Sequence, residues 1–284
     1  MTIVVTGATG HLGRLAIDHL LARGIAASDI VAAGRNVGKL AEVAEAGVRT
    51  AVIDFADATT LDAAFAGADT LVLVSGSEVG QRAAQHANAI AAAQRAGVSR
   101  IVYTSAPAAT TSALILAPEH KATEETLTAS GVPFTILRNG WYNENYEGTF
   151  AQVAATGVYL ASTGDGRVAS AARADYAEAI AAVLTSDGHV GAVYELSGDT
   201  AWNGAEFAAA ASEVLGREIV FESVTSDEHA AALAAAGLDD ATIGFVVALD
   251  GNIRDGLLGE TSGDLGRLIG HATTPIESYL RTQV

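Results

Sequence analysis

The segment "TIVVTGATGHLG", residues 2–13, constrains the fold more than any other stretch of the chain. A short β-branched run enters a turn carrying Gly7, Gly10 and Gly13, and an apolar stretch of helical period follows. Each glycine answers a separate need. Gly7 permits a tight turn off the strand, Gly10 lets backbone approach a pyrophosphate, and Gly13 lets the helix pack closely on the sheet. The first N–H groups of that helix then face an anion. This pattern predicts a parallel α/β layer binding a dinucleotide, with Gly7, Thr9, Gly10, His11, Leu12 and Gly13 as its phosphate cradle. No Lys-Ser/Thr pair follows the glycines, which excludes a nucleoside-triphosphate loop of the Walker type.

The remainder of the first half repeats the theme. "TIVVT", "DIVAAG", "TAVIDF", "TLVLVS", "RIVYTS" and "FTILRN" are nearly continuous apolar runs, the signature of strands buried on both faces of a parallel sheet. Between the first two, Leu12, Leu15, Ala16 and Leu20 form one helical face closed by Gly24, and Glu78 to Arg95 reads as another helix. The fold class expected is α/β: a Rossmann-type, doubly wound parallel sheet with a smaller mixed α/β C-terminal lobe. Residues 1–140 form the nucleotide-binding domain in this reading. Residues 141–284 form the lobe that covers the substrate, with part of the chain free to return to the first domain. In the lobe "VYLAS" and "AVYEL" read as isolated strands, and "SDEHAAALAAAGLDDATIGFVVALDGN" reads as helical. Arg173 and Asp175 in "RADYA" read as a helix start, and "TTPIESYL" as a last helix with Thr274 as N-cap and Pro275 as first residue.

Charge and composition exclude several functions. A formal net charge of −17 repels nucleic acid and anionic membrane surfaces, and no basic run offsets it. There is no cysteine, so disulfides, thiolate metal sites and cysteine nucleophiles are out, and a reducing, cytoplasmic setting fits. "MTIVVTG" has no basic leader, no apolar run is long enough to span a bilayer, and the seven histidines are scattered, so no metal is expected.

The end of the second strand decides between cofactors. An NAD site wants an acid there for the ribose 2′-hydroxyl, whereas this chain has Gly34-Arg35-Asn36. Arg35 suits a 2′-phosphate through its planar fork, so NADP(H) is the cofactor expected. Asp54 and Phe55, after the third strand, are placed for the adenine. Ser75, Gly76 and Ser77, after the fourth, are placed for the nicotinamide side.

With these residues in place the chain resembles an atypical short-chain dehydrogenase of the NmrA-like group, of the QorB type of NADPH:quinone oxidoreductase. The resemblance rests on "TGATGHLG", "SGSEVGQR", "YTSAPA", "EHKATEETL", "LRNGWYNENY", "RADYA", "YELSGD" and "LIGHATTP", in order over nearly the full length. It implies NADPH as donor, a small-molecule quinone as acceptor in a cleft between the domains, and room for a homodimer. Related NmrA-like proteins are redox sensors, so a non-catalytic sensor, or a reductase of another carbonyl or activated alkene, is also open.

The resemblance also exposes a gap. Short-chain dehydrogenases use a serine, a tyrosine acid and a lysine; here Ser105 matches the serine, Leu116 stands at the tyrosine and His120 at the lysine. A positioned acid contributes ~10²–10⁴-fold, so its loss hurts reduction of an isolated ketone. A quinone becomes an aromatic hydroquinone anion that water protonates readily, and it tolerates the gap. Ser105, His120 and Asn143 are the catalytic candidates, with Asn139, Trp141 and Tyr142 as substrate-binding candidates. On a helix over 118–130, His120, Glu124 and Leu127 share a face while Lys121 points elsewhere; an exposed His and Lys on a solvated helix is the alternative. Tyr103 is a core residue in this reading, and a proton donor only in the less favoured one.

Overall fold

Ile3, Val4 and Val5 are fully buried, as the central strand of a sheet covered on both faces must be. The computed structural model describes residues 1–76 and 78–284. The chain divides into one unit of residues 1–110, 116–139 and 173–195, and a second of 111–115, 140–172 and 196–284. In the first, β1 (Ile3–Val5), α1 (His11–Ala22), β2 (Ile30–Gly34), α2 (Val37–Ala44), β3 (Arg49–Val52) and α3 (Ala58–Phe65) alternate. β4 (Thr70–Leu73), α4 (Arg82–Arg95), β5 (Arg100–Ser105), α5 (Ala117–Ser130) and β6 (Phe134–Asn139) continue the series. α6 (Glu147–Thr156) and β7 (Val158–Ala161) belong to the second unit, and α7 (Arg173–Thr185) with β8 (Val193–Leu196) returns the chain to the first. α8 (Gly204–Leu215), β9 (Val220–Ser223), α9 (Ser226–Ala235), α10 (Asp240–Arg254), α11 (Asp264–Ile269) and α12 (Ile276–Leu280) follow.

The large sheet runs β3-β2-β1-β4-β5-β6-β8. Ile3 pairs in parallel with Ile30 on one side and Thr70 on the other, so the order reverses at β1. At such a switch point the connections leave on opposite faces and open a crevice at the strand carboxyl ends. Leu61, Phe65, Leu71, Ile90, Ile101, Tyr103 and Ile136 fill the core on one face. α7 lies against α1, joined by an Arg23–Glu178 ion pair of 3.1 Å.

Several expectations are corrected. "AVYEL" is not isolated: as β8 it extends the sheet beyond β6, because α7 supplies the crossover that "RADYA" begins. β3 is an edge strand with mostly exposed residues, so its apolar run does not reflect burial on both faces. The helix expected from Glu78 begins at Arg82, and on α1 Ile17 is buried whereas Leu15 is only partly so. Pro275 has extended backbone (ψ 158°) and is itself the N-cap of α12, which leaves Thr274 outside. In the second unit β7 and β9 form a parallel pair, and the Ala-rich stretch splits into α9 and α10 at the left-handed Gly237. Thr225 with Glu228 boxes the start of α9, and Asn203 with Glu206 that of α8.

The closest backbone approach in the first unit lies at Gly13, where a Cβ would stand 2.4 Å from the Gly7 carbonyl oxygen. At Gly148 a Cβ would meet open space. Gly13→Ala is expected to lose about 1–3 kcal/mol by overpacking, whereas Gly148→Ala, inside a helix, gains about 0.5–1 kcal/mol. Urea denaturation of the two variants checks this, and equal midpoints would remove the steric account of Gly13.

Candidate active site

The glycine turn is shaped to receive an anion. Gly7 adopts a left-handed conformation (φ 65°), and Gly10 N–H bonds back to its carbonyl at 2.9 Å. Gly10 is the N-cap of α1 and offers no capping side chain, so the first N–H groups of the helix stay open to a ligand. At Gly34 a Cβ would come within 2.7 Å of the Thr9 side chain, so a second close approach needs glycine. Gly7, Thr9, Gly10, His11, Leu12 and Gly13 line one cavity of about 340 Å³. Arg35, Phe55, Ser75 and Gly76 line it too. Asp54 does not; it is exposed, and its carboxylate accepts from Ala56 N–H at 2.9 Å, closing the local turn. Ser77 lies outside the described residues.

Two charges at this cavity go beyond the favoured sequence reading, which has Arg173 as a helix start and gives it a functional role only as the less favoured alternative. Glu78 pairs with Arg35 at 2.5 Å and accepts from Gln85 at 2.8 Å. The Gln85 hydrogen bond first, then Arg35, holds its carboxyl below the usual range. Arg173, at the start of α7, lines the same cavity and also an adjoining one of about 320 Å³ that includes Arg14 and Lys39. The only signal for it was "RADYA", whose placement beside the glycine turn depends on a crossover far along the chain.

Behind the cavity wall lies a buried polar network. Gly76 N–H donates to His86 Nε2 at 3.2 Å, and His86 Nδ1 meets Thr123 Oγ1 at 3.0 Å. Thr123 donates its own proton to the Glu119 carbonyl, so Nδ1 carries the hydrogen of a neutral imidazole. Burial, followed by the Arg82 charge, lowers the His86 pKa to about 3. Arg82 is itself buried, donating to the Gly76 carbonyl and pairing with Glu119 at 2.8 Å. His120 is buried while Lys121 is exposed, and His120 Nδ1 lies 2.8 Å from the Tyr103 hydroxyl. Burial again, then Arg82 and His86, puts His120 at about 3. Tyr103 is fully buried in the core, and burial pushes its phenol well up.

Ser105, at the end of β5, donates to Glu124 Oε1 at 2.6 Å. Arg138 clamps Glu124 through Nε at 3.0 Å and Nη2 at 2.7 Å, and reaches Glu195 at 2.7 Å. Those bonds, Glu124 foremost, raise the Arg138 pKa above its ordinary value. Leu116 is the N-cap of α5, with no proton to give. Neither Glu124–Arg138 nor Glu195 was legible as a cluster, since their partners are scattered along the chain.

The remaining candidates are differently placed. Asn139, the last residue of β6, is buried. Asn143 belongs to the second unit and is fully buried, its amide donating to the Thr274 carbonyl at 2.9 Å and accepting from Ser170 at 2.6 Å. It thus stitches its own unit together. Tyr142 bridges Ala171, and Trp141 lines a cavity wholly within the second unit.

A glycine cradle at a helix N-terminus, at the switch point of a parallel sheet and beside arginines, defines a dinucleotide-binding Rossmann protein. Residues 7–187 match the NAD(P)H-binding family model, and the chain belongs to that family. It is 43% identical to Quinone oxidoreductase 2 of Escherichia coli (strain K12) over 274 residues, 96% of each protein. The crystal structure of NADPH-dependent quinone oxidoreductase from Escherichia coli complexed with NADPH matches with a TM-score of 0.95 and 42% identity over 99% of both chains. Triphenylmethane reductase of Citrobacter sp., complexed with NADP(H), matches with a TM-score of 0.95 and 36% identity over 100% of both.

The two depressed imidazoles make stability pH-dependent. Both have folded-state values near 3 against 6.5 for the free group, so the unfolded chain binds the extra protons. Their contribution is complete above the free value and is lost as pH falls toward the folded one. Each imidazole should cost about 1–2 kcal/mol between roughly pH 6.5 and 5, ahead of most carboxylates. His120→Gln should shrink the slope measured by urea denaturation in that window; an unchanged slope would show that His120 is not buried neutral.

Proposed function

We propose that the protein reduces quinones to hydroquinones with NADPH. The observation that carries the reading is the near-full-length identity with the quinone oxidoreductase of Escherichia coli. The residues fit the nucleotide: two glycines whose Cβ atoms would collide with the turn, an uncapped helix N-terminus, and Arg35 at the end of β2. Gly7 to Gly13 would hold the pyrophosphate, Arg35 the 2′-phosphate in exchange for Glu78, Phe55 the adenine, and Ser75 and Gly76 the nicotinamide side. Arg173, lining the same cavity, adds a second cation near the phosphates. When bound, the nucleotide supplies a hydride.

The chain's own residues suit an acceptor that needs little acid help. With a pKa of about 3, His120 carries a proton on only ~1 in 10⁴ molecules at pH 7. It can donate a hydrogen bond from a neutral N–H but is not an imidazolium acid. A Tyr103 hydroxyl that keeps its proton and donates it to Nδ1 places the imidazole hydrogen on Nε2. Ser105 can turn its hydroxyl from Glu124 toward a substrate oxygen because Arg138 keeps that carboxylate paired. Such donors stabilise developing negative charge without transferring a proton, and solvent protonates the hydroquinone anion. Asn143, with both ends of its amide engaged, stays outside this catalytic set.

Mixing the protein with NADPH and a benzoquinone-type acceptor should consume NADPH well above the uncatalysed rate, and an activated ketone should be a poor acceptor. Faster ketone turnover would favour the carbonyl reductase reading, and nucleotide binding without turnover a sensor. Arg35→Ala should weaken NADPH by about 10- to 100-fold, the worth of a charge-assisted hydrogen bond, and leave NADH unchanged. Equal losses for both would remove Arg35 as the selecting residue.

A further inference from the structure

The second unit holds a cavity of its own, of about 340 Å³, at the lower end of the size of small-molecule sites. Trp141, Tyr146, Tyr159, Leu233, Val246 and Leu249 wall it. The two tyrosine rings are held from behind by an aromatic cluster. Tyr146 stands 4.7 Å from Trp202 and 5.4 Å from Phe207, and Tyr159 4.9 Å from Phe207 and 5.3 Å from Phe221. This is a preformed slot whose aromatic walls are fixed by packing rather than by a ligand, with Asn145, Thr149 and Gln152 as polar residues lining it.

Set into the wall is a buried pair, His229 and Asp250, with Nδ1 2.9 Å from Oδ2 and side chains only 7% and 10% exposed. The same oxygen accepts from Ser162 N–H at 2.7 Å and from the Ser162 hydroxyl at 3.0 Å. With Nδ1 turned to Asp250 Oδ2, a neutral His229 imidazole that donates there presents Nε2 to the cavity as an acceptor. Nε2 has no partner among the described residues, although the ring is 6% exposed and lines the cavity. The trio is not a hydrolase triad. Ser162 is 1% exposed and sits on the Asp250 side of the ring, 3.4 Å from Nδ1, where it cannot pass a proton to Nε2.

An orienting carboxylate, a single imidazole acceptor and aromatic walls specify the ligand's chemistry. We propose that this cavity binds a flat, neutral, one- or two-ring aromatic compound through a ring hydroxyl, which donates to His229 Nε2 while its rings pack between Trp141, Tyr146 and Tyr159. A ring bearing only carbonyl oxygens offers Nε2 no donor, although Asn145, Thr149 and Gln152 could donate to it. A carboxylate-bearing ring meets the charge of Asp250 and is disfavoured. The site is independent of the nucleotide reading, since all of its residues lie in the second unit and none is in the cradle.

The test uses the full chain without nucleotide, titrated calorimetrically with 2-naphthol and with naphthalene. Wild-type protein should bind 2-naphthol at one site, at least 10-fold more tightly than naphthalene. His229→Phe should abolish that preference. Gly148→Leu should weaken both compounds at least 10-fold, because Gly148 lines the cavity within a helix and its Cβ would enter open space. NADPH binding should remain unchanged in both variants, which separates this result from any failure of the quinone assay, and a wild-type far-ultraviolet circular dichroism spectrum and urea midpoint confirm that both variants are folded. No 2-naphthol binding, no preference over naphthalene, or wild-type affinity in Gly148→Leu would each overturn the proposal.

Discussion

The contact between the start of α1 and the Gly7 carbonyl, possible only because Gly13 lacks a Cβ, is the constraint on which the first unit turns. It brings a helix N-terminus to the carboxyl end of β1, at the one place where neighbouring crossovers diverge. The chain carries a net charge of −17 and still offers an anion site here. The two facts are compatible because screening at physiological salt cuts off distant charge beyond about 8–10 Å. The uncapped N–H groups, Arg35 and Arg173 lie at this cavity, with Glu78 paired to Arg35.

The Arg35–Glu78 pair refines this picture. Arg35 is largely exposed, and an exposed ion pair contributes little stability. Its consequence lies in the exchange of partners. A 2′-phosphate held by Arg35, as proposed, would displace Glu78, whose carboxylate would keep Gln85 as a partner. If Arg35 selects the phosphorylated ribose as proposed, that selectivity is a difference between two pairings of one guanidinium, not the full worth of either.

Local pattern made the first unit legible and left its long-range partners hidden. Apolar runs and glycine spacing identify β1, α1, β4 and β5 because burial and turn geometry act on neighbours in sequence. The helical face of His120, Glu124 and Leu127 emerged for the same reason. Arg138 was invisible as the partner of Glu124, since nothing periodic links the end of β6 to the middle of α5. β8 looked isolated because its crossover partner is reached only through α7. His229 and Asp250 sit on two helices, the Ala-rich α9 and the largely aliphatic α10, whose composition announces helicity and says nothing of which faces meet. Asn143 illustrates the converse. A polar residue within a distinctive motif suggested chemistry, yet its amide closes the hydrogen bonds of Ser170 and Thr274 inside the fold.

The buried network behind the cradle bears on why a polar interior is kept there at all. Two neutral imidazoles, an Arg82–Glu119 pair and the Glu124–Arg138 clamp all incur desolvation, and apolar residues of like volume would often be as stable. What apolar residues could not do is hold Gly76 and Ser105 by directed bonds. His86 takes the Gly76 N–H, Arg82 takes its carbonyl, and Glu124 takes the Ser105 hydroxyl. The ends of β4 and β5, where a nicotinamide and its acceptor would meet, are thereby held in position by directed bonds. Under the proposed hydride transfer, a site arranged in this way would supply orientation and polarisation rather than protons, in keeping with Leu116 having none to give.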